Sequence, residues 1–342
     1  MFTACAIRQS VINQKEFVQR LFGELADNTS GKRGIVRDTY GAGENFAHEF
    51  FADCSRSMEL EVATDFAGNT YATWPGEDRS LPRIIIGSHL DSVFEGGNFD
   101  GAAGVLAGLT AVAALRSLGL KPICDIQTMG IRAEESAWFQ ISYIGSRSAL
   151  GMLPVHALDA RRVDTKRTLA EHIIECGGDP ECIRRGERSI EPASVRAFFE
   201  IHIEQAPSLV EADLPVAICT SVPGNFRYSH VKIYGDHAHV GLPHRFRRDA
   251  AMAAVDFAHE VDLLWQEYED AGKPMACTFG RFHTDADFHG LTTVPGLFDF
   301  SLDVRAYDAR QLAEIEERVL DIVRRIEKKR GVTFDLGARA SA

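Results

Sequence analysis

The chain has 342 residues and a mass of 37.7 kDa, more than one hydrophobic core usually holds, so two domains are expected. With 45% hydrophobic and 25% charged residues it has a core to bury, which excludes wholesale disorder and a collagenous or low-complexity chain. The 37 Lys+Arg against 49 Asp+Glu give a net charge of −12, the wrong sign for a nucleic-acid or anionic-membrane surface, and neither is expected as a partner.

The pattern opens on a helix, with Val11, Phe17, Val18, Leu21, Phe22 and Leu25 at helical spacing before Gly31 and Gly34. A second helical stretch, Glu44 to Met58, precedes a half-buried alternation over Leu60–Asp65, and Gly68-Asn69-Thr70 turns it into another strand. Arg83-Ile84-Ile85-Ile86-Gly87 is a short β-branched run suited to a strand buried on both faces. Val105–Leu118 then reads as a packed helix and Ile123–Ile131 as the next strand. Strand, polar loop, helix, strand is the unit of an α/β fold, here a mixed, mostly parallel sheet with helices on both faces and ligands at the carboxyl ends of its strands.

The character changes near residue 213. Strands at Tyr228–Tyr234, Ala276–Phe282, Phe298–Arg305 and Val332–Leu336 alternate with helices at Asp249–Tyr268 and Ala309–Lys329, a compact α+β layer. Seven cysteines carry no C-x-x-C pair, which favours reduced thiols over a zinc ribbon or disulfide framework. The first residues lack a basic region followed by an apolar run, and no stretch approaches the roughly 18 apolar residues of a membrane span, so a cytoplasmic protein is expected.

Three strand ends carry candidate chemistry. Gly87-Ser88-His89-Leu90-Asp91 is followed by Asp100 in a glycine-rich loop, where an imidazole and a carboxylate could share a metal and Asp91 could fix the tautomer of His89. The competing reading makes Asp100 the N-cap of the helix that follows. In Arg132-Ala133-Glu134-Glu135, two adjacent carboxylates repel unless a cation lies between them or one stays protonated, which suits one ligand and one general base; the alternative is an acidic turn opening a helix. Glu200-Ile201-His202-Ile203-Glu204 alternates so that His202 shares a strand face with Glu200 and Glu204. Each is ambiguous alone, and a shared site explains all three.

The strings GSHLDSVFEGGNFDGAAGVLAGL, RAEES and EIHIEQ, followed by Gly235-Asp236-His237-Ala238-His239 and Arg247-Arg248-Asp249-Ala250, resemble the M20-type metallohydrolases. The branch they resemble holds the N-carbamoyl-L-amino-acid hydrolases and allantoate amidohydrolases. The resemblance implies a di-metal aminopeptidase-like catalytic domain at 1–213 and an inserted, ferredoxin-like lid and dimerisation domain at 214–337, with 338–342 beginning a return to the first domain. It implies two divalent ions, zinc or manganese, with Asp100 bridging, His89 and His202 on one ion and Glu135 on the other, and Glu134 as general base. It further implies that Gln205 contacts the substrate, that His239 (with His237 as the alternative) stabilises the developing oxyanion, and that Arg305 grips a substrate carboxylate. The implied partners are a small ureido or carbamoyl substrate and a second copy of the chain.

Two departures stand out. Where the family carries an Asn before its V-P-G turn, Thr292 stands here, a shorter side chain with a different donor and acceptor set. The lid motif runs H-V-G-L-P-H, one residue shorter than the family's usual H-A-G-T-T-P-M. The family also returns from the lid to supply a late His to the second ion, and this sequence ends before any such segment, so an incomplete listing of a hydrolase is expected. The alternative is a shortened, catalytically impaired relative that binds or dimerises.

Overall fold

A computed structural model describes residues 3–341, and Ala342, the last of the expected return segment, lies outside them with Met1 and Phe2. The chain divides into two compact units between Ala212 and Asp213.

The first unit opens with helices α1 (Ala4–Ile12), α2 (Lys15–Thr29) and α3 (Ala42–Ser57). The single opening helix expected from the sequence is thus two, broken at Asn13, whose amide caps α1. Strands β1 (Glu61–Thr64), β2 (Thr70–Trp74) and β3 (Arg83–His89) follow, then α4 (Ala102–Ser117), β4 (Ile126–Ile131), the short helices α5 (Ile144–Ala149), α6 (Leu169–Glu175) and α7 (Pro180–Arg184), and β5 (Val195–Phe199). The sheet order is β1-β2-β4-β3-β5. Two of its pairings, β3 with β4 and β3 with β5, are parallel. The β1/β2 hairpin continues antiparallel onto β4, so the sheet is mixed in equal parts, where a mostly parallel one was expected.

Alternation along the strands feeds two cores. Ala72 packs with Leu25, Phe51, Leu106 and Leu109 of α2, α3 and α4, while its neighbour Tyr71 packs with Ile85, Met129 and Ala149 on the other face. β5 is the edge strand, and its pairing ends at Ile86↔Phe199. Residues 200–204, expected as strand, therefore run on as irregular chain, with the Ile201 carbonyl lying where a side chain on Gly104 of α4 would stand.

In the second unit β6 (Gly224–Tyr234), β7 (Ala238–His239), α9 (Ala250–Asp270), β8 (Met275–Thr278), β9 (Phe282–Thr284), β10 (Thr293–Val294), β11 (Leu297–Ala306), α10 (Ala309–Arg330), β12 (Thr333–Asp335) and β13 (Arg339–Ala340) follow a one-turn α8 (Ser208–Glu211) that closes the first. The expected strand over 276–282 is two, β8 and β9, both antiparallel to β11. β11 alternates buried residues with half-buried or, at Arg305, exposed ones, and its inward Phe298, Phe300, Leu302 and Val304 meet Phe257 of α9 and Ile315, Val319 and Ile326 of α10. Both helices start on an aspartate cap, Asp249 accepting from Met252 N–H and Asp308 from Arg310 and Gln311 N–H, each contributing about 1 kcal/mol. Arg339 and Ala340, expected to begin a return to the first unit, pair with Tyr228 and Arg227 of β6.

Candidate metal centre

β3 and β4 are parallel neighbours in register His89↔Ile131, so both leave the sheet at one end, and β5 leaves beside them. Three chain segments therefore deliver His89, Glu134–Glu135 and His202 to the same place, as loops at the carboxyl ends of parallel strands do. The β3 loop returns Asp100 to that place immediately before α4. Gly101 makes the return possible: its φ is +64°, and a Cβ there would lie 2.5 Å from the His89 ring. Asp100 caps nothing, since the N-cap position of α4 makes no side-chain hydrogen bond.

His89 is 2% exposed. Its Nδ1 lies 3.0 Å from the Asp91 carbonyl oxygen and 3.3 Å from Asp91 Oδ1. A carbonyl only accepts, so Nδ1 carries the hydrogen and Nε2 of the neutral ring presents a lone pair. His202 is set in the same tautomer by the Ile203 carbonyl, 2.9 Å from its Nδ1. The two Nε2 atoms face each other at 3.4 Å, and Asp100 Oδ1 lies 3.2 Å from that of His202 and 3.8 Å from that of His89. This Oδ1 is buried and makes no hydrogen bond, its approach to His202 included, while Oδ2 accepts from Gln205 Nε2 at 2.9 Å. With the rings neutral, three lone pairs converge here with no proton between them, an arrangement a divalent cation fits.

A second group joins His89 to Glu134 and Glu135, all ligand atoms of each group lying within 4.8 Å of one another. The residue common to the two groups is His89, and the charge of Asp100, the bridge that the resemblance implies, also reaches Glu135. Burial raises the Glu134 carboxyl above its usual range against the pull of His89, and burial with the neighbouring Glu134 charge pushes Glu135 up to about 7. Burial disfavours the charged His89 ring, but Asp91, Glu134 and Glu135 outweigh it and hold the pKa up at about 9. The pocket is short of positive charge, and it takes up protons to compensate.

Asp91 connects the groups. Wholly buried, its Oδ1 accepts from Glu134 N–H at 3.0 Å, and its Oδ2 from Glu135 N–H at 3.1 Å and Thr39 Oγ1 at 2.7 Å. The sequence reading gave it only the His89 ring. Arg37, also wholly buried, donates from Nε to the Leu90 carbonyl at 2.8 Å and from a terminal nitrogen to the Asp100 carbonyl at 3.1 Å, tying the end of β3 to the Asp100 loop. Neither Arg37 nor Thr39 carried a signal in the sequence, because their partners lie more than fifty positions away. Gln205, expected on the substrate, donates to Asp100 Oδ2 here.

Three expected site residues belong to the second unit. His239 on β7 pairs with Thr293, and its Nδ1 accepts from Gly241 N–H at 3.1 Å. The Thr292 carbonyl accepts from Val240 N–H at 2.8 Å, which sets Thr292 beside His239. His237 Nδ1 accepts from Gly296 N–H, and its ring lies 5.5 Å from that of Phe288. Arg305 donates to Asp303, which also binds Arg227 across the strand pair.

Comparison with known proteins points the same way. The model of peptidase family M20/M25/M40 matches residues 85–333. An N-carbamoyl-L-amino acid amidohydrolase of Geobacillus stearothermophilus is 33% identical over 325 residues, 94% of this chain and 76% of the relative. An allantoate amidohydrolase of Bacillus subtilis is 27% identical over 277 residues, 81% of this chain and 65% of the relative. Among solved structures, a hydantoinase/carbamoylase family amidase from Burkholderia ambifaria superposes with a TM-score of 0.78 at 29% identity, over 96% of this chain and 77% of that one.

Proposed function

Because the chain belongs to peptidase family M20/M25/M40, we propose that it is a metal-dependent amidohydrolase that cleaves a non-peptide C–N bond of a carbamoyl or ureido amino-acid-like substrate. The observation that carries this reading is the convergence of His89 Nε2, His202 Nε2 and the unpartnered Asp100 Oδ1 beside Glu134 and Glu135. His89, His202 and Asp100 would hold one divalent ion, zinc or manganese, and Glu135 with Asp100 or His89 a second. Bound there, such ions supply Lewis acidity to a carbonyl oxygen and make water more acidic.

Glu134 is the general base of this reading. Its Oε2 lies 4.0 Å from His89 Nε2, and the charges of both His89 and His202 reach it. A carboxyl raised by burial accepts a proton from water near neutral pH and returns it to the leaving nitrogen. Asp91 and Arg37 keep the loops in place while charge moves. Gln205 gives one Nε2 hydrogen to Asp100 and has its other Nε2 hydrogen and Oε1 to offer a substrate. The second unit acts as lid and pairing surface between two copies, with His239 on the developing oxyanion and Arg305 on the substrate carboxylate, a task for a planar fork of donors. Thr292, in place of an amide, tunes the choice of substrate. The cytoplasm is the proposed compartment, and among the described residues no helix is long and apolar enough to cross a membrane.

Ammonia release from N-carbamoyl-L-amino acids, allantoate and ureidoglycolate, with a dipeptide alongside, tests the reading. Turnover of at least one carbamoyl or ureido compound, lost on chelation and restored by zinc or manganese, is expected. Cleavage of the dipeptide alone would overturn the substrate class.

A further inference from the structure

The loop that carries Glu134 and Glu135 is held amide by amide. Arg132 N–H donates to Asn69 Oδ1 at 2.9 Å, and the Glu134 and Glu135 amides go to Asp91. Its carbonyls are taken as well, those of Arg132, Ala133 and Glu134 accepting from Gly145, Ile144 and Tyr143 at 2.8–3.0 Å. The amide left is that of Ala133, which is wholly buried and has φ +55°, a left-handed conformation costly for any residue with a Cβ.

Its partner is Glu44, the one carboxylate of α3 that is fully buried. Glu44 Oε1 accepts from Ala133 N–H at 2.8 Å, and Oε2 accepts from Tyr40 N–H. Tyr40 is the second left-handed residue here, at φ +51°, and it directly follows Thr39, whose hydroxyl binds Asp91. Arg132, 5% exposed, balances the charge with a terminal nitrogen 3.2 Å from Oε2. One buried carboxylate therefore fixes two strained turns, one next to Glu134 and the other next to Thr39, which binds Asp91.

We propose that Glu44 is a positioning residue that holds Ala133 and Tyr40 in their left-handed turns and thereby aims Glu134 and Glu135 at the second ion. The inference rests on the reading of Glu134 and Glu135 given above. Two oxygens are needed, because the two amides point at different atoms of the carboxylate. A glutamine of the same shape keeps one acceptor and turns an NH2 group toward the other amide. No hydrogen bond or ion pair joins Glu44 to His89, Asp100 or His202, so the group they form should be affected less.

The experiment titrates metal-free protein with Zn2+ and follows amide hydrogen exchange over residues 131–136. Glu44→Gln is expected to weaken the second ion by about 10–100-fold, the usual cost of losing an outer support, and the first ion by much less. It should also raise exchange at residues 133–135. Adding Ala133→Gly to Glu44→Gln should recover part of the affinity, since glycine holds a positive φ without a clamp. Glu44→Asp, which keeps the charge but draws the carboxylate back by about 1.5 Å, should show the same selective loss and covers a failure of the glutamine variant to fold. Unchanged exchange in both variants, equal loss of both ions, or no recovery with Ala133→Gly would overturn the proposal. A wild-type protein that binds one ion only would instead refute the two-ion reading, and the exchange result would still decide the role of Glu44.

Discussion

Asp91→Asn isolates the link between the two ligand groups. Asp91 accepts from the Glu134 and Glu135 amides through different oxygens and lies 3.3 Å from His89 Nδ1. Asparagine preserves the shape but offers one acceptor. The Thr39 hydroxyl can rotate to accept from the new NH2 group, but a backbone amide cannot, so whichever way the side chain sits, one buried N–H loses its partner. An unsatisfied buried donor costs about 1–3 kcal/mol, and the surviving bond loses its charge assistance, so a local destabilisation of about 3 kcal/mol is expected. The protein should remain folded, and both ions should weaken by about 10–100-fold, because Asp91 supports His89 as well as the glutamate loop. Competition with a chromophoric chelator reads the affinities, and circular dichroism checks the fold. A folded variant that bound both ions within about threefold of wild type would refute the coupling drawn from these distances.

Metal-free protein should lose stability as pH rises. His89, at about 9, and Glu135, at about 7, both have folded-state pKa values above their unfolded ones, so the folded state binds more protons than the unfolded chain between about pH 4.5 and 9. The His89 contribution is fully present below about pH 6.5 and is lost as pH rises through about 9. Thermal melts should therefore show a falling Tm from pH 6 to pH 9 without metal and a flatter profile with zinc, and a rising metal-free Tm would contradict the sign. Phe300→Ala removes a fully buried ring packed against Phe257, Phe279, Phe282 and Phe334, at a cost of about 3–5 kcal/mol. Denaturant melts should show that loss in the second unit while zinc binding to the first persists. Thr292→Asn should shift the ratio of kcat/KM between carbamoyl amino acids and allantoate, and an unchanged ratio would remove Thr292 from substrate choice.

The elements of the first unit were legible where local pattern and burial agree. The Ile84–Ile86 run is a central strand, and the polar residues after it are where the chain leaves the sheet. His89, Asp100, Glu134, Glu135 and His202 could be grouped because each stands at or beside a strand end. What held them was hidden, since Arg37, Thr39 and Glu44 act through partners 52–89 positions away and no spacing rule reports such partners. Alternation misread Glu200–Glu204 as strand because the sequence pattern of a strand persists after the pairing of β5 with β3 stops at Ile86↔Phe199. The mostly parallel sheet failed for a related reason: β1 and β2 form a hairpin, and only the tertiary fold decides that β2 also pairs with β4.

The most direct measurement is single-site turnover with the ions in place. Wild-type protein and Glu134→Gln, both loaded with zinc or manganese and both checked for bound metal, are assayed for ammonia release from a carbamoyl or ureido substrate. With Glu134 as the proton carrier, the variant keeps its ions and loses at least about 10²–10⁴-fold in kcat. A metal-loaded Glu134→Gln protein with undiminished turnover would contradict the assignment of the base and the mechanism built on it.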